Sequence, residues 1–173
     1  MSTLLVALLV ILCISVVLFM LVFLHNRSNR LKTVKLLRRF SELGTEYNLS
    51  FTGKEIMQNR IIGVDGLKSK LLFLEHSAAD PVYYVIDLTE AKRCYVSKLY
   101  GSSYTGNSPE RRAERYLHTI ALEFDFMNGS HTIALPFYDH VTDAIQHAAD
   151  MEAKAKNWES VLLKMLPKEK KRA

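Results

Sequence analysis

Cysteine is scarce in this chain, which holds only Cys13 and Cys94 among its 173 residues. Two cysteines this far apart, one of them inside an apolar run, cannot form the disulfide framework of a small secreted domain. There is also no Cys-x-x-Cys pair, the spacing that metal and redox sites use. Cysteine usage therefore favours a reducing compartment, with Cys94 as a small buried side chain.

Catalytic motifs are missing as well. The sequence has no Gly-x-x-x-x-Gly-Lys-Ser/Thr phosphate loop, no Gly-x-Ser-x-Gly elbow and no His-Glu-x-x-His zinc helix. His140 and His147 would share one face of a helix, but the sequence places no third ligand beside them. Asp143 precedes His147 by four residues, the spacing of a surface hydrogen bond on a helix. We therefore predict a non-enzymatic protein without catalytic residues, cofactor or metal.

Acidic residues are absent between His25 and Phe40, where six basic side chains occur. The six are Arg27, Arg30, Lys32, Lys35, Arg38 and Arg39. Together with a basic tail at 168–173 they account for the net charge of +5, because residues 41–167 hold more acidic than basic side chains. An acidic globular part should repel phosphate backbones, so nucleic acid is excluded as the expected partner.

One long apolar run contrasts with these absences. Residues 4–24 contain no charged side chain and would span about 30 Å as a helix, the thickness of the hydrocarbon core of a bilayer. No basic residue precedes the run and no small-residue cleavage site follows it, which argues against a signal peptide. We predict a single-pass anchor at residues 1–25 in the cell (inner or plasma) membrane.

The basic cluster gives the predicted orientation, because Lys and Arg beside a spanning helix stay on the cytoplasmic side. The N-terminus is then outside, and the C-terminal domain is cytoplasmic. The same six residues are expected to contact anionic lipid, where each contributes about 1 kcal/mol. Ordinary topology determination is the alternative role for the cluster.

Helical spacing continues beyond the run, and residues 26–48 are predicted to form a basic juxtamembrane helix or linker. From residue 49 to 138 the pattern changes to six or seven strands. The clearest pair of strands flanks Asn128-Gly129, a strong signal for a two-residue hairpin turn that fixes the strand register. The predicted cross-strand pairs are Phe124 with Ile133, Leu122 with Leu135 and Ile120 with Phe137.

The earlier strands are less regular. They are predicted at 56–64, 67–75, 82–88 and 92–100. Asp65-Gly66 is a second hairpin signal, although Leu71–Leu74 is a continuous apolar run and not an alternation. A polar loop at 101–115 precedes the last hairpin, and loops of that length are usually functional or disordered.

A long helix closes the predicted fold, with Asp139 as its N-cap and Pro167 after its end. Apolar residues recur along this helix at two heptad positions. A stripe that is buried in the core is the default interpretation, and a coiled-coil or partner face is the alternative. The candidate partner face comprises Ala155, Trp158, Leu162 and Met165.

Antiparallel strands followed by one amphipathic helix resemble the pleckstrin-homology-like (PH-like) superfold, here in the form of small bacterial single-pass membrane proteins. That superfold packs two sheets as a partly open barrel or sandwich, which the helix caps. The fold class is thus expected to be α+β, with a PH-like domain at 49–166 and a basic tail at 167–173.

The resemblance implies a candidate anion or lipid-headgroup site, because phosphoinositide-binding members carry basic residues around the first hairpin. Residues that match this arrangement loosely are Arg60, Lys68 and Lys70, and solvated strand-edge charges are the alternative. A second candidate lies in the polar loop, since arginines clamp phosphates and carboxylates. It comprises Arg111, Arg112 and Arg115, which interleave with Glu110 and Glu114 and could equally form a solvated loop.

Two functions are compatible with these features. The first is a membrane-tethered cytoplasmic binding module that takes a peptide or a lipid headgroup at the open barrel edge or at the loop 101–115. In the second case Tyr100 and Tyr104 are expected beside the loop arginines. The second is a structural or assembly protein that oligomerises through the anchor and the last helix. This second function requires the candidate partner face to be exposed in the monomer.

Overall fold

The computed structural model describes the backbone of residues 2–77, 81–104, 113–127, 129 and 131–167. Side chains are described over the same ranges except at residues 2–11, 21–30, 102–104 and 113–115. The elements are α1 (Ser2–Glu46), β1 (Gly53–Met57), β2 (Arg60–Asp65), β3 (Lys70–Glu75), β4 (Val82–Asp87), β5 (Ala91–Tyr104), β6 (Ala113–Phe126), β7 (Thr132–Asp139) and α2 (Ala148–Leu163).

The described strands form two antiparallel sheets, which confirms the predicted α+β class. The first sheet has the order β1-β2-β3-β4 and the second the order β5-β6-β7, so neighbouring strands are also consecutive in the chain. Neither sheet closes into a barrel over the described strands. The main core lies between the two sheets and α2, which contacts all three strands of the second sheet.

The last hairpin has the predicted register except at its far end. The pairs that form as predicted are Phe124 with Ile133 and Leu122 with Leu135. Gly129 has the positive φ of 63° that a tight turn requires. The predicted pair of Ile120 with Phe137 is wrong, because a bulge between residues 120 and 121 places Ile120 opposite Tyr138. A bulge adds one residue to one strand, and the turn signal does not locate it.

The first sheet is divided differently from the prediction. The predicted strand 56–64 is two strands, since Gln58 and Asn59 form a turn between β1 and β2. The predicted loop at 101–115 is also shorter, because β5 continues to Tyr104 and β6 begins at Ala113. Residues 105–112 of that loop lie outside the described residues.

The second half of α1 covers the outer face of the first sheet. Its buried apolar side chains are Leu36, Phe40 and Leu43. This packing explains the unbroken run Leu71–Leu74, in which Leu71 and Phe73 face the main core while Leu72 and Leu74 face α1. A strand that is buried on both faces has no polar face to show, so it does not alternate.

Two glycines allow α1 to approach the sheet closely. The ring of Phe51 fills the space beside both, since a Cβ on Gly44 would lie 2.8 Å from that ring and one on Gly63 would lie 2.9 Å from it. A Cβ on Gly63 would also lie 2.7 Å from the Phe40 ring. The Phe40 and Phe51 rings have centroids 4.7 Å apart. The end of α1 and the segment after it are thereby fixed to β2.

In the part of the chain that the structure describes, no helix is both long enough and apolar enough to cross a membrane. This finding contradicts the predicted localisation, which was a single-pass cell-membrane protein with its N-terminus outside and its domain in the cytoplasm. Of the predicted anchor, only residues 12–20 have described side chains.

The last helix begins later than predicted. Asp139 ends β7 and caps no helix, and a 3₁₀ turn at Ile145–His147 leads into α2. The cause is Asp143, whose buried carboxylate accepts hydrogen bonds from the Arg60 guanidinium at 2.7 Å and from the Asp139 N–H at 2.8 Å. These bonds hold the segment as a turn. The predicted contact of Asp143 with His147 is therefore wrong, and the two histidines share no helix.

Candidate functional site

β1 is a free edge of the first sheet, since among the described strands it pairs with β2 alone. Met57 and Arg60 pair across the two-residue turn, and the pair that closes such a hairpin is hydrogen-bonded. Hydrogen-bonded pairs then alternate along the ladder. The backbone N–H and C=O groups of Lys54 and Ile56 consequently point away from β2, toward the open side of the strand.

A pocket lies on each face of this edge strand. The α2-side pocket has a volume of about 460 Å³ and is lined by Gly53, Lys54, Glu55, Val64, Asn157, Trp158 and Val161. The α1-side pocket has a volume of about 190 Å³ and is lined by Leu37, Phe40, Ser41, Gly44, Thr45, Leu49, Phe51 and Lys54. Lys54 lines both pockets, so the strand itself separates them.

The α2-side pocket combines apolar side chains with the polar Lys54, Glu55 and Asn157. It is open at Gly53, where a Cβ would lie 3.7 Å from Val64. The indole N–H of Trp158 donates to a Glu55 carboxylate oxygen at 2.6 Å. The Lys154 ammonium lies 3.9 Å from the other oxygen of that carboxylate. The ring of Trp158 is thus held in place and forms one wall of the α2-side pocket.

The α1-side pocket has an apolar floor and a polar rim. The floor is formed by apolar side chains packed between α1 and the first sheet, including Phe40 and Phe51. The rim carries the hydroxyls of Ser41 and Thr45 together with Lys54. The Thr45 hydroxyl donates to the Ser41 carbonyl oxygen at 3.1 Å. Within the described residues, no salt bridge reaches the exposed Lys54 ammonium.

Asp65 fixes the chain where it enters β1. Its buried carboxylate accepts hydrogen bonds from the backbone N–H groups of Ser50 at 2.7 Å, Leu67 at 2.9 Å and Lys68 at 3.0 Å. The bond from Ser50, followed by that from Lys68, lowers the pKa of the Asp65 carboxyl. The Thr52 side chain adds hydrogen bonds to β2 and to the turn after it. The edge strand therefore starts from a rigid corner.

Arg60, the first residue of the predicted anion site, lies in the interior. Its side chain is 2% exposed and forms salt bridges with Asp143 at 2.7 Å and with Glu75 at 2.8 Å. It also donates to the Thr142 hydroxyl at 3.3 Å. Burial raises the pKa of Glu75 despite the neighbouring guanidinium. The donors of Arg60 are therefore directed to groups of the protein.

The other two residues of that predicted site lie elsewhere. Lys70 pairs with Asp65, and Arg60 pairs with Glu75, so these two basic residues lie at opposite ends of the β2-β3 ladder. At about 3.3 Å per residue they are roughly 17 Å apart. Lys68 donates to the Asn48 carbonyl oxygen. The structure does not bring the three residues together.

The arginines of the second predicted site are beyond what the structure describes. Arg111 and Arg112 lie outside the described residues, and Arg115 has a described backbone in β6 without a described side chain. The same is true of Tyr104 in β5. Tyr100 is 56% exposed. A groove formed by these arginines stays a prediction.

The basic cluster before residue 40 is partly described. Its exposed members are Lys32, Lys35 and Arg38. Arg38 and Arg39 form salt bridges with Glu42 at 3.1 Å and 3.4 Å, whereas the side chains of Arg27 and Arg30 lie outside the described residues. Lipid contact by this cluster stays a prediction.

The predicted partner face lies in the main core. Ala155 and Leu162 are fully buried, Trp158 is 6% exposed, and Met165 packs against the same core. The reason is that α2 turns this stripe toward the second sheet, while Trp158 also bonds to β1. These four residues therefore form no exposed face in the monomer.

Groups with reactive chemistry are few in the described residues. No three His, Cys, Asp or Glu side chains of that part come together as a metal site. Burial raises the pKa of the Cys94 thiol to about 12.

The sequence pattern predicts residues 56–64 as one strand, so it does not show β1 as a separate edge strand. A local signal was present in Gln58-Asn59, which separates two apolar stretches. The pockets had no local signal, since Gly53 and Trp158, which line the same pocket, lie more than a hundred residues apart in the chain.

No family model, curated protein or solved structure matches the chain.

Proposed function

We propose that this chain is a non-enzymatic binding module that takes up an extended polypeptide segment as an additional strand beside β1. The observation that carries the proposal is the presence of a pocket on each face of a free edge strand. An added strand forms main-chain hydrogen bonds with the edge, and its side chains point alternately to the two faces. One set of side chains then enters the α2-side pocket, and the next set enters the α1-side pocket.

Hydrogen bonds alone do not account for useful affinity at this edge. The outward N–H and C=O groups of Lys54 and Ile56 offer four such bonds, each with a net contribution of about 0.5–1.5 kcal/mol. A micromolar complex requires about 8 kcal/mol beyond the cost of association. Side chains that fill the pockets must supply the difference, so the pockets determine which segments bind.

A short edge strand that carries a lysine is also a common protection against unwanted strand pairing. Protection of this kind requires charge and a short strand, and it does not require pockets. The two pockets beside β1 therefore favour binding over protection alone. Lys54 can serve both purposes, because it discourages unselective pairing while a selected segment is accommodated.

The PH-like superfold is a further proposal for this chain. It is supported by the order of the elements, four strands followed by three strands and then a helix. It is also supported by the packing of α2 over the main core. The binding proposal does not depend on this assignment, because it rests on β1 and its two pockets.

The test is a selection of random dodecapeptides, displayed on phage, with the full chain as target. Affinities of the selected peptides are then measured by fluorescence anisotropy for Lys54→Pro and Lys54→Ala. Proline removes the outward N–H of residue 54 and leaves the ladder to β2 intact, whereas alanine keeps the N–H. We expect the proline variant to lose about tenfold or more in affinity and the alanine variant to lose about threefold or less.

A second pair of variants tests the α2-side pocket. Val161 lines it and is 37% exposed, while Leu163 lies on the same helix outside the pocket and is 52% exposed. Val161→Glu is expected to abolish binding of the selected peptides, and Leu163→Glu is expected to leave it unchanged. Peptides that bind all four variants with the affinity of the unaltered chain would contradict strand addition at β1.

A further inference from the structure

The free edge has an uncompensated positive charge. Lys54 is exposed, and in the described part of the chain no carboxylate forms a salt bridge with it. The other charged side chain of β1, Glu55, is already engaged by the Trp158 indole at 2.6 Å and by Lys154 at 3.9 Å. The Lys54 ammonium is therefore available to form a salt bridge with a carboxylate of an incoming strand.

Strand geometry determines the position of the carboxylate that can pair with Lys54. Directly opposite residues of neighbouring strands have Cβ atoms about 4.5–5.5 Å apart on the same face of the sheet. A carboxylate opposite Lys54 lies over the α1-side pocket, whose rim hydroxyls, from Ser41 and Thr45, are uncharged. Opposite charges at this position contribute about 0.2–1 kcal/mol, whereas like charges destabilise the pairing.

The next residue of the incoming strand points to the other face. Opposite Gly53, which has no side chain, it enters the α2-side pocket. The apolar residues of this pocket are Val64, Trp158 and Val161, beside the polar Lys54, Glu55 and Asn157. This pocket, at about 460 Å³, is more than twice the volume of the α1-side pocket, at about 190 Å³. A large apolar side chain fits this space, and its burial is favourable by about 25 cal/mol per Å².

We infer that the segment bound at β1 places an acidic residue opposite Lys54 and a large apolar residue next to it in the α2-side pocket. The inference rests on the proposed function and names its ligand class. The ligand is an extended peptide in which Asp or Glu adjoins a residue such as Leu, Phe or Met. The order of the two residues depends on whether the added strand is parallel or antiparallel to β1.

A second copy of this chain brings like charges together when the pairing is centred on either charged residue of β1. If two β1 strands pair about a two-fold axis at Lys54, the two lysines stand opposite each other. An axis at Glu55 places the two glutamates opposite each other. Like charges in directly opposite positions are destabilising, so charge complementarity favours an acidic peptide as the occupant.

The test uses synthetic dodecapeptides with a Ser/Thr host sequence and a central Leu-Glu or Glu-Leu pair. Companion peptides replace the glutamate by Gln or Lys, or the leucine by Ala. Dissociation constants are measured by fluorescence anisotropy with the full chain and with Lys54→Glu. For one of the two orders, we expect the unaltered chain to bind the Glu peptide about threefold more tightly than the Gln peptide, with the Lys peptide weakest. Lys54→Glu is expected to reverse this order.

The preference of the α2-side pocket for a large apolar side chain is tested by a separate variant. Gly53→Ala places a Cβ in ordinary contact with Val64 and narrows the opening of the α2-side pocket. It is expected to bring the affinity of the leucine peptides toward that of the alanine peptides. Leu163→Glu, outside the pocket, should leave the difference between them intact.

The outcomes separate this inference from the proposal on which it rests. Binding that is lost in Lys54→Pro but shows the same peptide order in the unaltered chain and in Lys54→Glu would overturn the acidic preference and leave strand addition intact. A concentration-dependent dimer of the peptide-free chain that is lost in Lys54→Pro would assign the edge to a second copy and overturn the inference. Absence of any binding that depends on residue 54 would overturn both.

Discussion

Arg60 shows how one buried side chain joins distant parts of this fold. Its guanidinium lies between Glu75 of β3 and Asp143 of the turn after β7, and it donates to the Phe137 carbonyl oxygen at 3.4 Å. A buried cation is tolerated only when its donors are paired. The network therefore joins the end of the first sheet to the end of the second, and it sets the position at which α2 can begin.

Replacement of Arg60 by methionine tests this role. Arg60→Met leaves the buried Asp143 carboxylate without its partner, so we expect the free energy of unfolding to fall by about 3–5 kcal/mol. Arg38→Met is the matched control, since Arg38 is exposed and pairs with Glu42 on the surface. Its effect should be within about 0.5 kcal/mol. Urea unfolding, followed by the fluorescence of the single tryptophan, gives both values, and equal losses would contradict the network.

Asp65 predicts a pH dependence of stability with a definite sign. Hydrogen bonds from Ser50 and Lys68 lower its pKa in the folded chain below the usual value of about 3.9. Its contribution to stability is therefore present above that value and is lost as the pH falls through the lowered folded pKa. Urea unfolding of Asp65→Asn and the unaltered chain should show a stability gap that is constant from pH 7 to about 5 and narrows below about pH 4. A gap that widens at low pH would contradict the assignment.

The pKa shift of Glu75 has the opposite sign to that of Asp65, but it does not affect the stability difference between the unaltered chain and Asp65→Asn. Burial raises its pKa, so this carboxyl lowers stability as the pH rises through the raised folded value. Glu75 is present in both the unaltered chain and Asp65→Asn, so its contribution to the free energy of unfolding cancels in their difference.

Cys94 should be chemically silent in the folded chain. With its pKa raised to about 12 by burial, the thiol is almost entirely protonated at neutral pH, and the thiolate is the reactive form. In a Cys13→Ser background, we expect labelling by iodoacetamide only at the rate at which the chain unfolds. Labelling at the rate of a free thiol in the absence of denaturant would contradict the packing of β5 against the core.

At the scale of elements, α1 is fixed to the first sheet by contact with a glycine. A Cβ on Gly63 would lie 2.7 Å from Phe40 and 2.9 Å from Phe51, whereas one on Gly53 would meet Val64 at an ordinary 3.7 Å. Gly63→Ala is expected to lower the free energy of unfolding by about 1–3 kcal/mol through overpacking, and Gly53→Ala by less than about 1 kcal/mol. Equal effects of the two substitutions, measured by urea unfolding, would show that α1 does not pack as closely as described.

Local chemistry predicted some elements of this fold and long-range contacts determined others. The pairing of Leu122 with Leu135 follows from Asn128-Gly129 and a strict apolar alternation, which are both local. The start of α2 could not be predicted in this way, because Asp143 is held by Arg60, 83 residues earlier. The same holds for the run Leu71–Leu74, whose second buried face exists only because α1 packs on it.

For the molecule as a whole, sequence patterns predicted the class of fold better than the site. Two sheets and a terminal helix follow from periodicity, while the candidate site is formed by α1, β1 and α2 together. The predicted anion site included Arg60, which the structure buries, and did not include Lys54, which lies at the free edge. The sequence does not show which basic side chains form salt bridges with carboxylates in the folded chain. Only a basic side chain without such a salt bridge is available to a charged ligand.

Strand addition at β1 is tested by amide hydrogen exchange, measured by NMR without and with a selected dodecapeptide. Strand addition predicts that the amides of Lys54 and Ile56 exchange rapidly in the free chain and become protected in the complex. Glu55 and Met57, whose amides face β2, should be protected in both states and serve as internal controls. If exchange at Lys54 and Ile56 stays unchanged while the peptide is bound, strand addition at β1 is contradicted.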